Sequence, residues 1–600
     1  MNRANPHHLA LITVALGLAA CQPATETTVD APAQLNTLYT EYDEDYLAMN
    51  PLSATFRGDN RFNDQWYPLD PLSDEYAAAA LAMDKRYLAR LNAIDPSMLD
   101  GQDLLSFEIF RLERQNAIER SEQGYDAFES LTPVNQMFSM PSLVVMLGSG
   151  SMAQPFATAE DYDNWIARST GIVEHVDLTI SKMREGVEVG VVHPRILMEK
   201  VLPQLDAQVV DDPEQSDFWR PVANMPDSFA DEDRERIEAA YRDHISNVLS
   251  PAFAKLHDYI ADDYIPNTRE TIGQGEVPGG ESYYAFKVRE STTTDYTPEE
   301  IHEIGKLEVE RLYAEMLRVK DEVGFDGDLQ AFFEHLRTDP RYYFESREAI
   351  VTAYDELRTV INPLLDASFD IKAKADYVVQ PIQEFQEQSM PAAFYFAGTP
   401  DGSRPGVFYI NTYDLSARPK YMMEALSVHE AAPGHHFQIS VAQEMDELPA
   451  FRRFGGYTAY SEGWGLYAES LGKELGLYTD PYQYFGALYT DIWRADRLVV
   501  DTGMHVMGWS RQDAIDYMKS NMPIADTDVI AEVERYIAIP SQALSYKIGQ
   551  LKIRELRNRA EDALGDAFDV RMFHNQVLTT GSVPLLVLES RIDRWIKSQQ

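Results

Sequence analysis

Three imidazoles and a carboxylate fall within eight residues at His429-Glu430-Ala431-Ala432-Pro433-Gly434-His435-His436. The chain has only 13 histidines in 600 residues, so this density marks chemistry rather than composition. A His-Glu pair on a helix, with a further His downstream, is the donor pattern of a zinc hydrolase. In the usual arrangement the two histidines stand four apart, about 40° round a helix and roughly 6 Å along it. Here His429 and His435 stand six apart, about 240° out of phase and roughly 9 Å along. A regular helix could not turn both to one ion. Pro433, however, has no N–H for the carbonyl of residue 429, and its ring clashes with that carbonyl. Gly434 then admits unusual dihedrals. The pattern therefore predicts a bulge that loops out two residues and returns His429 and His435 to a single Zn2+ ion, with Glu430 as general base. His436 is back in angular phase but roughly 10.5 Å along. It is assigned to substrate binding or to orienting the site.

A catalytic zinc takes three protein ligands and keeps one position open. The third candidate is Glu462, in Ser461-Glu462-Gly463-Trp464-Gly465-Leu466-Tyr467-Ala468-Glu469, at the start of a helix. A downstream glutamate of this kind is the ligand arrangement of gluzincin peptidases. Gly463 and Gly465 would let that helix lie close against the first. Glu469, two turns on, is either a partner of a ligand or an exposed helix charge.

The elements that must position these groups are mostly helices. Apolar residues recur at three- and four-residue spacing over Glu75 to Ile94, Leu104 to Ile118, Asp161 to Val187 and Asp231 to Ile260. Loops are expected at 211 to 228 and 265 to 280. Gly273 to Gly280 is glycine-rich but lacks the strand-turn-helix setting of a dinucleotide fingerprint. Thr297-Pro298-Glu299-Glu300 predicts a capped helix reaching about Glu322, and another covers Ser346 to Leu365. Short β-branched and aromatic runs at Tyr377 to Ile382, Ala392 to Phe396 and Gly406 to Asn411 predict a small antiparallel sheet beside the metal helix. Its turn is Gly398 to Gly402. Either Val407 to Asn411 offers an exposed edge to which an extended peptide could add, or the sheet only braces the cleft. After residue 418 the chain is expected to be almost wholly helical.

Composition bounds the rest. Apolar residues make up 44% and aromatic residues 11%, as in a well-packed globular protein. Acidic residues number 97 against 52 basic, a net charge of −45, which excludes nucleic acid as a partner. Residues 9 to 20 form an apolar run of 12, too short to span a bilayer. Leu18-Ala19-Ala20-Cys21 resembles the lipobox of bacterial lipoproteins, with Cys21, the single cysteine, as the lipidated residue. The expected organisation is a signal peptide over 1–20, a lipidated N-terminus and tether over 21–34, an N-terminal helical half over 35–290 and a catalytic half over 291–600. The expected location is the cell envelope, by analogy the outer membrane facing the periplasm. A GxSxG elbow is absent from the sequence and the one cysteine is committed to the N-terminus. Serine and thiol hydrolase readings therefore lack a nucleophile.

The stretch His429 to Gln438, Ser461-Glu462-Gly463-Trp464, Trp493-Arg494-Ala495, Asp501 to His505 and Ser545-Tyr546-Lys547-Ile548-Gly549 together resemble the bacterial family called domain of unknown function 885. The resemblance implies a mostly helical fold of the gluzincin metallopeptidase group. More distantly it implies the two helical halves and deep cleft of the angiotensin-converting-enzyme and thermostable-carboxypeptidase type. The sequence departs from those enzymes by two residues inserted between the histidines, and by Leu466 where they carry Asp. Tyr546 resembles the tyrosine that donates to the oxyanion in such peptidases; His505 is a second candidate donor. Arg494 and Arg497 either read a substrate carboxylate or neutralise nearby acids. The reading is a zinc peptidase acting on short peptides. A metal-dependent amidase and a non-catalytic solute-binding lipoprotein are the alternatives, and an intact Glu430 speaks against the last.

Overall fold

The computed structural model describes residues 30–137, 139–383, 387 and 391–600. The expected signal peptide, Cys21 and most of the tether lie outside the described residues. The tether is shorter than its composition indicates. Residues 31–34 form the first turn of a helix, Ala31–Met49. Asp30 caps it by accepting from the Ala33 N–H at 3.1 Å, and Pro32 suits a first turn, where its missing N–H costs nothing.

The chain is mainly α-helical. The expected helices at 75–94 and 104–118 are Asp74–Leu91 and Gly101–Glu122. The expected helix over 161–187 is two, Ala159–Ser169 and Ile172–Val189. They divide at Gly171, where a Cβ would lie 2.2 Å from the Trp66 ring. The segment 231–260 stays helical but widens to a π-turn at Ile245–Leu249. The next residues bring Pro251, which has no N–H to close the normal ladder. The loops 211–228 and 265–280 carry short helical turns.

Helix α1 is Pro298–Glu322. Thr297 Oγ1 accepts from the Glu300 N–H at 3.2 Å and Glu300 accepts from the Thr297 N–H at 2.9 Å. This reciprocal cap contributes about 1 kcal/mol. Strands β1 (Tyr377–Pro381), β2 (Ala393–Phe396) and β3 (Gly406–Ile410) follow. Then come α2 (Met423–Glu430), α3 (His435–Gln443), α4 (Thr458–Ser470), α5 (Pro481–Val506), α6 (Asp526–Ala538) and α7 (Leu544–Leu564).

The sheet is mixed, not antiparallel. Its order is β1-β3-β2; β1 runs parallel to β3 and only β2 is antiparallel to it. The Gly398 to Gly402 turn makes the β2–β3 hairpin, but the chain has already crossed from β1 to the far side of β3. The strand expected at the edge, Val407 to Asn411, is therefore central, with both sides of its backbone paired. It cannot accept another strand. Strand β2 lies next to α2 and α3.

Two hydrophobic cores form. One joins the Ala31–Met49, Asp74–Leu91 and Gly101–Glu122 helices to α2, α3, α4, α7 and the sheet. The other joins residues 134–272 to most of α1, α5 and α6. Both draw on residues from either side of position 290. Helix α5 is shared: Leu498 packs in the first core, while Ile492, Ala495 and Val499 pack in the second.

Candidate metal centre

The segment between the histidines is a break rather than a bulge. Helix α2 ends at Glu430 and α3 begins at His435. The turn between them is held tightly. A Cβ on Gly434 would lie 1.9 Å from the His429 carbonyl oxygen and 2.3 Å from that of Val428. Only glycine fits there, for reasons of space. The Trp464 indole N–H, fully buried on α4, donates to the Pro433 carbonyl at 2.8 Å. The two histidines thus come from separate helices, and the helical phase argument no longer constrains them.

Their rings meet edge to face, with centroids 4.6 Å apart. His429 Nε2 and His435 Nε2 each lie 3.5 Å from Glu462 Oε2. The three donors all fall within 4.8 Å of one another. Two ligands about 2.0–2.1 Å from one ion at a tetrahedral angle stand about 3.4 Å apart. The His–Glu separations match that spacing, and two imidazoles with one carboxylate are a donor set zinc accepts. Glu462 keeps 21% of its side chain exposed and His435 13%, against 5% for His429. The trio is therefore open on the Glu462 side.

Glu469 is buried and engaged. Its Oε1 lies 2.7 Å from His429 Nδ1, and its Oε2 accepts from the Thr490 hydroxyl of α5. The Tyr478 hydroxyl donates to the Glu469 carbonyl at 2.9 Å. His429 is thereby locked with Nε2 toward the other two donors. Nothing in the sequence marks Thr490 for this, because it reaches Glu469 from another helix. The two glycines of α4 serve different neighbours. A Cβ on Gly465 would meet the His429 ring at 2.8 Å, so Gly465 admits α2. A Cβ on Gly463 would meet Gly549 at 2.5 Å, so Gly463 admits α7, which carries Tyr546.

Electrostatics follow from this packing. Burial alone would lower the His429 pKa, but hydrogen bonds to Glu462 and Glu469 hold it up at about 10. Burial would raise Glu462, yet the imidazoles of His435 and His429 hold its carboxyl well below the usual range. A cation binding here displaces a proton shared among these groups. His435 Nδ1 is buried without a partner among the described residues. Glu430 is buried on the last turn of α2 beside His429.

His436 turns away from the trio. Its Nδ1 lies 2.9 Å from the Tyr395 hydroxyl of β2, its ring packs on Tyr377, and burial drives its pKa down to about 4. It ties α3 to the sheet. His505 is also not at the trio. Its Nδ1 accepts from the Gln274 N–H at 3.2 Å, and its Nε2 donates to the Tyr536 carbonyl at 3.0 Å. With both nitrogens occupied it has no proton to offer an oxyanion. Burial and the Glu462 carboxylate raise the Tyr546 pKa, which keeps its hydroxyl protonated as a donor. The Arg497 guanidinium lies over its ring at 4.4 Å. A cavity of about 980 Å³ reaches Tyr457, just ahead of α4, and Pro540, just ahead of α7. None of the trio lines it.

The chain belongs to the family described as bacterial protein of unknown function (DUF885), whose model matches residues 51–592. Among solved structures it is similar to a "putative lipoprotein" from Colwellia psychrerythraea. That likeness has 27% identity and a TM-score of 0.83, and covers 95% of this chain and 99% of that one. It is also similar to a "putative lipoprotein of unknown function" from Shewanella oneidensis, at 16% identity and a TM-score of 0.74, covering 93% and 99%. No functionally curated protein matches it.

Proposed function

We propose that the protein is a zinc-dependent peptidase of gluzincin type that hydrolyses short peptides. The observation that carries this reading is the trio: His429 Nε2 and His435 Nε2, each 3.5 Å from Glu462 Oε2. His429, His435 and Glu462 would hold the ion. When bound, zinc supplies the positive charge that acidifies a water molecule and polarises a carbonyl.

The chain's own groups carry the remaining steps. Glu430, beside His429, takes the proton of the attacking water and passes it to the leaving amine. Tyr546 donates its hydroxyl proton as a hydrogen bond to the developing oxyanion. Glu469, braced by Thr490, keeps His429 oriented through the cycle. The similar proteins carry the description "putative lipoprotein". With Cys21 placed directly after an apolar run, this favours a lipid-anchored enzyme of the cell envelope.

The test is metal content and cleavage of a mixed short-peptide library by wild type and Glu430→Gln. The variant should retain its zinc and lose cleavage by roughly 10²- to 10⁴-fold. A wild type without zinc, or a variant cleaving as fast as wild type, refutes the mechanism.

A further inference from the structure

Helix α5 places three side-chain donors without partners within five residues. The Trp493 indole N–H, Arg494 Nε and Arg497 Nη1 are all buried and make no hydrogen bond among the described residues. Arg497 itself is 6% exposed. Arg494 and Arg497 are three apart and so share one helix face. Arg535 of α6 joins Arg497 through Glu532, which lies 3.2 Å from Arg497 and 3.0 Å from Arg535. Among the described residues, Glu532 is the only carboxylate within 4 Å of any of these three guanidiniums. Among the described residues Arg494 bonds only the Thr490 carbonyl of its own helix, at 3.3 Å. Arg497 and Arg535 therefore share one carboxylate and Arg494 has none within 4 Å among the described residues, in a chain whose net charge is −45.

The cluster reaches Tyr546, the proposed oxyanion donor. Arg497 stacks on Tyr546 at 4.4 Å, and the pKa of the Tyr546 hydroxyl is raised by burial and Glu462 and lowered by Arg497, Arg535 and Arg494. Buried donors are almost always satisfied, and three on one face that are not point to a missing acceptor. The strongest acceptor for guanidinium groups is a carboxylate. The strongly acidic remainder of the protein would repel such a substrate, so local positive charge also provides selection.

We infer that Arg494 and Arg497, backed by Arg535, form a subsite that receives a carboxylate of the substrate close to the scissile bond. The carboxylate is either the free C-terminal group or an acidic side chain. The inference rests on the peptidase reading for the word substrate, but the subsite can be tested without turnover. Three acetylated tripeptides serve as probes: one with a free C-terminus, the same sequence as its C-terminal amide, and an amide ending in Asp. Each is titrated calorimetrically into Glu430→Gln protein, and its cleavage by wild type is followed.

The free acid should bind about 10- to 100-fold more tightly than its amide. Adding Arg494→Ala should collapse that ratio towards unity, and Arg494→Lys should restore part of it. A general packing defect would weaken both peptides alike and leave the ratio unmoved. If the Asp amide matches the free acid, side-chain carboxylates are the ligand; if it matches the plain amide, the C-terminus is. Equal binding of acid and amide, or binding of neither, overturns the subsite. Discriminating binding without cleavage leaves the subsite standing and removes the peptidase. Cleavage that ignores the carboxylate does the reverse.

Discussion

His429 and His505 are both buried histidines near a helix end, and the molecule uses them in opposite ways. His505 gives one nitrogen to a backbone N–H and the other to a backbone carbonyl. The fold has consumed its chemistry, and burial drives its pKa down to about 4. His429 is anchored at Nδ1 only, by a carboxylate, and its Nε2 faces a second carboxylate and another imidazole. Despite burial its pKa stands at about 10. Burial alone does not distinguish a ligand from a strut. What distinguishes them is whether the second nitrogen meets the backbone or a cluster of further donors.

The sharpest way to break this contrast is to remove each ring. His429→Ala should abolish stoichiometric metal binding, whereas His505→Ala should keep the metal and lose about 1–3 kcal/mol of stability. Metal analysis and thermal melts of the two variants check this. A smaller effect isolates the anchor. Glu469→Gln should weaken metal affinity roughly 10- to 100-fold without unfolding the chain, as read by competition with a chromogenic chelator.

The smallest effect lies in pH. His429 rises from an ordinary 6.5 to about 10, so in metal-free protein its stabilisation is full below 6.5 and is lost as pH climbs towards 10. His505 falls from 6.5 to about 4, so its neutral form costs stability as pH drops from 6.5 towards 4. Chelator-treated protein compared with His429→Gln should diverge below neutrality and converge in alkali. The comparison with His505→Gln should show the opposite trend.

Much of this arrangement could be read from residue types. The donors His429, His435 and Glu462 stand together as their identities and the Pro433-Gly434 interruption imply, and the mainly helical fold follows the apolar periodicity. The manner of the interruption was less legible. Looping out two residues and ending one helix before starting another answer the same spacing problem. The choice depends on Trp464 and on the space around Gly434, both set by distant packing. Glu469 could equally have been a solvated charge, until Thr490 arrives from α5. The sheet departs from the expected antiparallel pairing because short strands advertise their pairing partner only through the turn that joins them. The Gly398 to Gly402 turn specifies β2–β3, while the parallel β1–β3 pairing leaves no local mark. His505 sits in a motif but takes its partners from a loop and a backbone carbonyl, which no spacing rule anticipates.

His435, and not its neighbour His436, should complete the metal site. Zinc per chain after exhaustive dialysis tests it directly, for wild type, His435→Ala and His436→Ala. The geometry predicts close to one ion in wild type and in His436→Ala, and almost none in His435→Ala. Zinc retained by His435→Ala and lost by His436→Ala would contradict it.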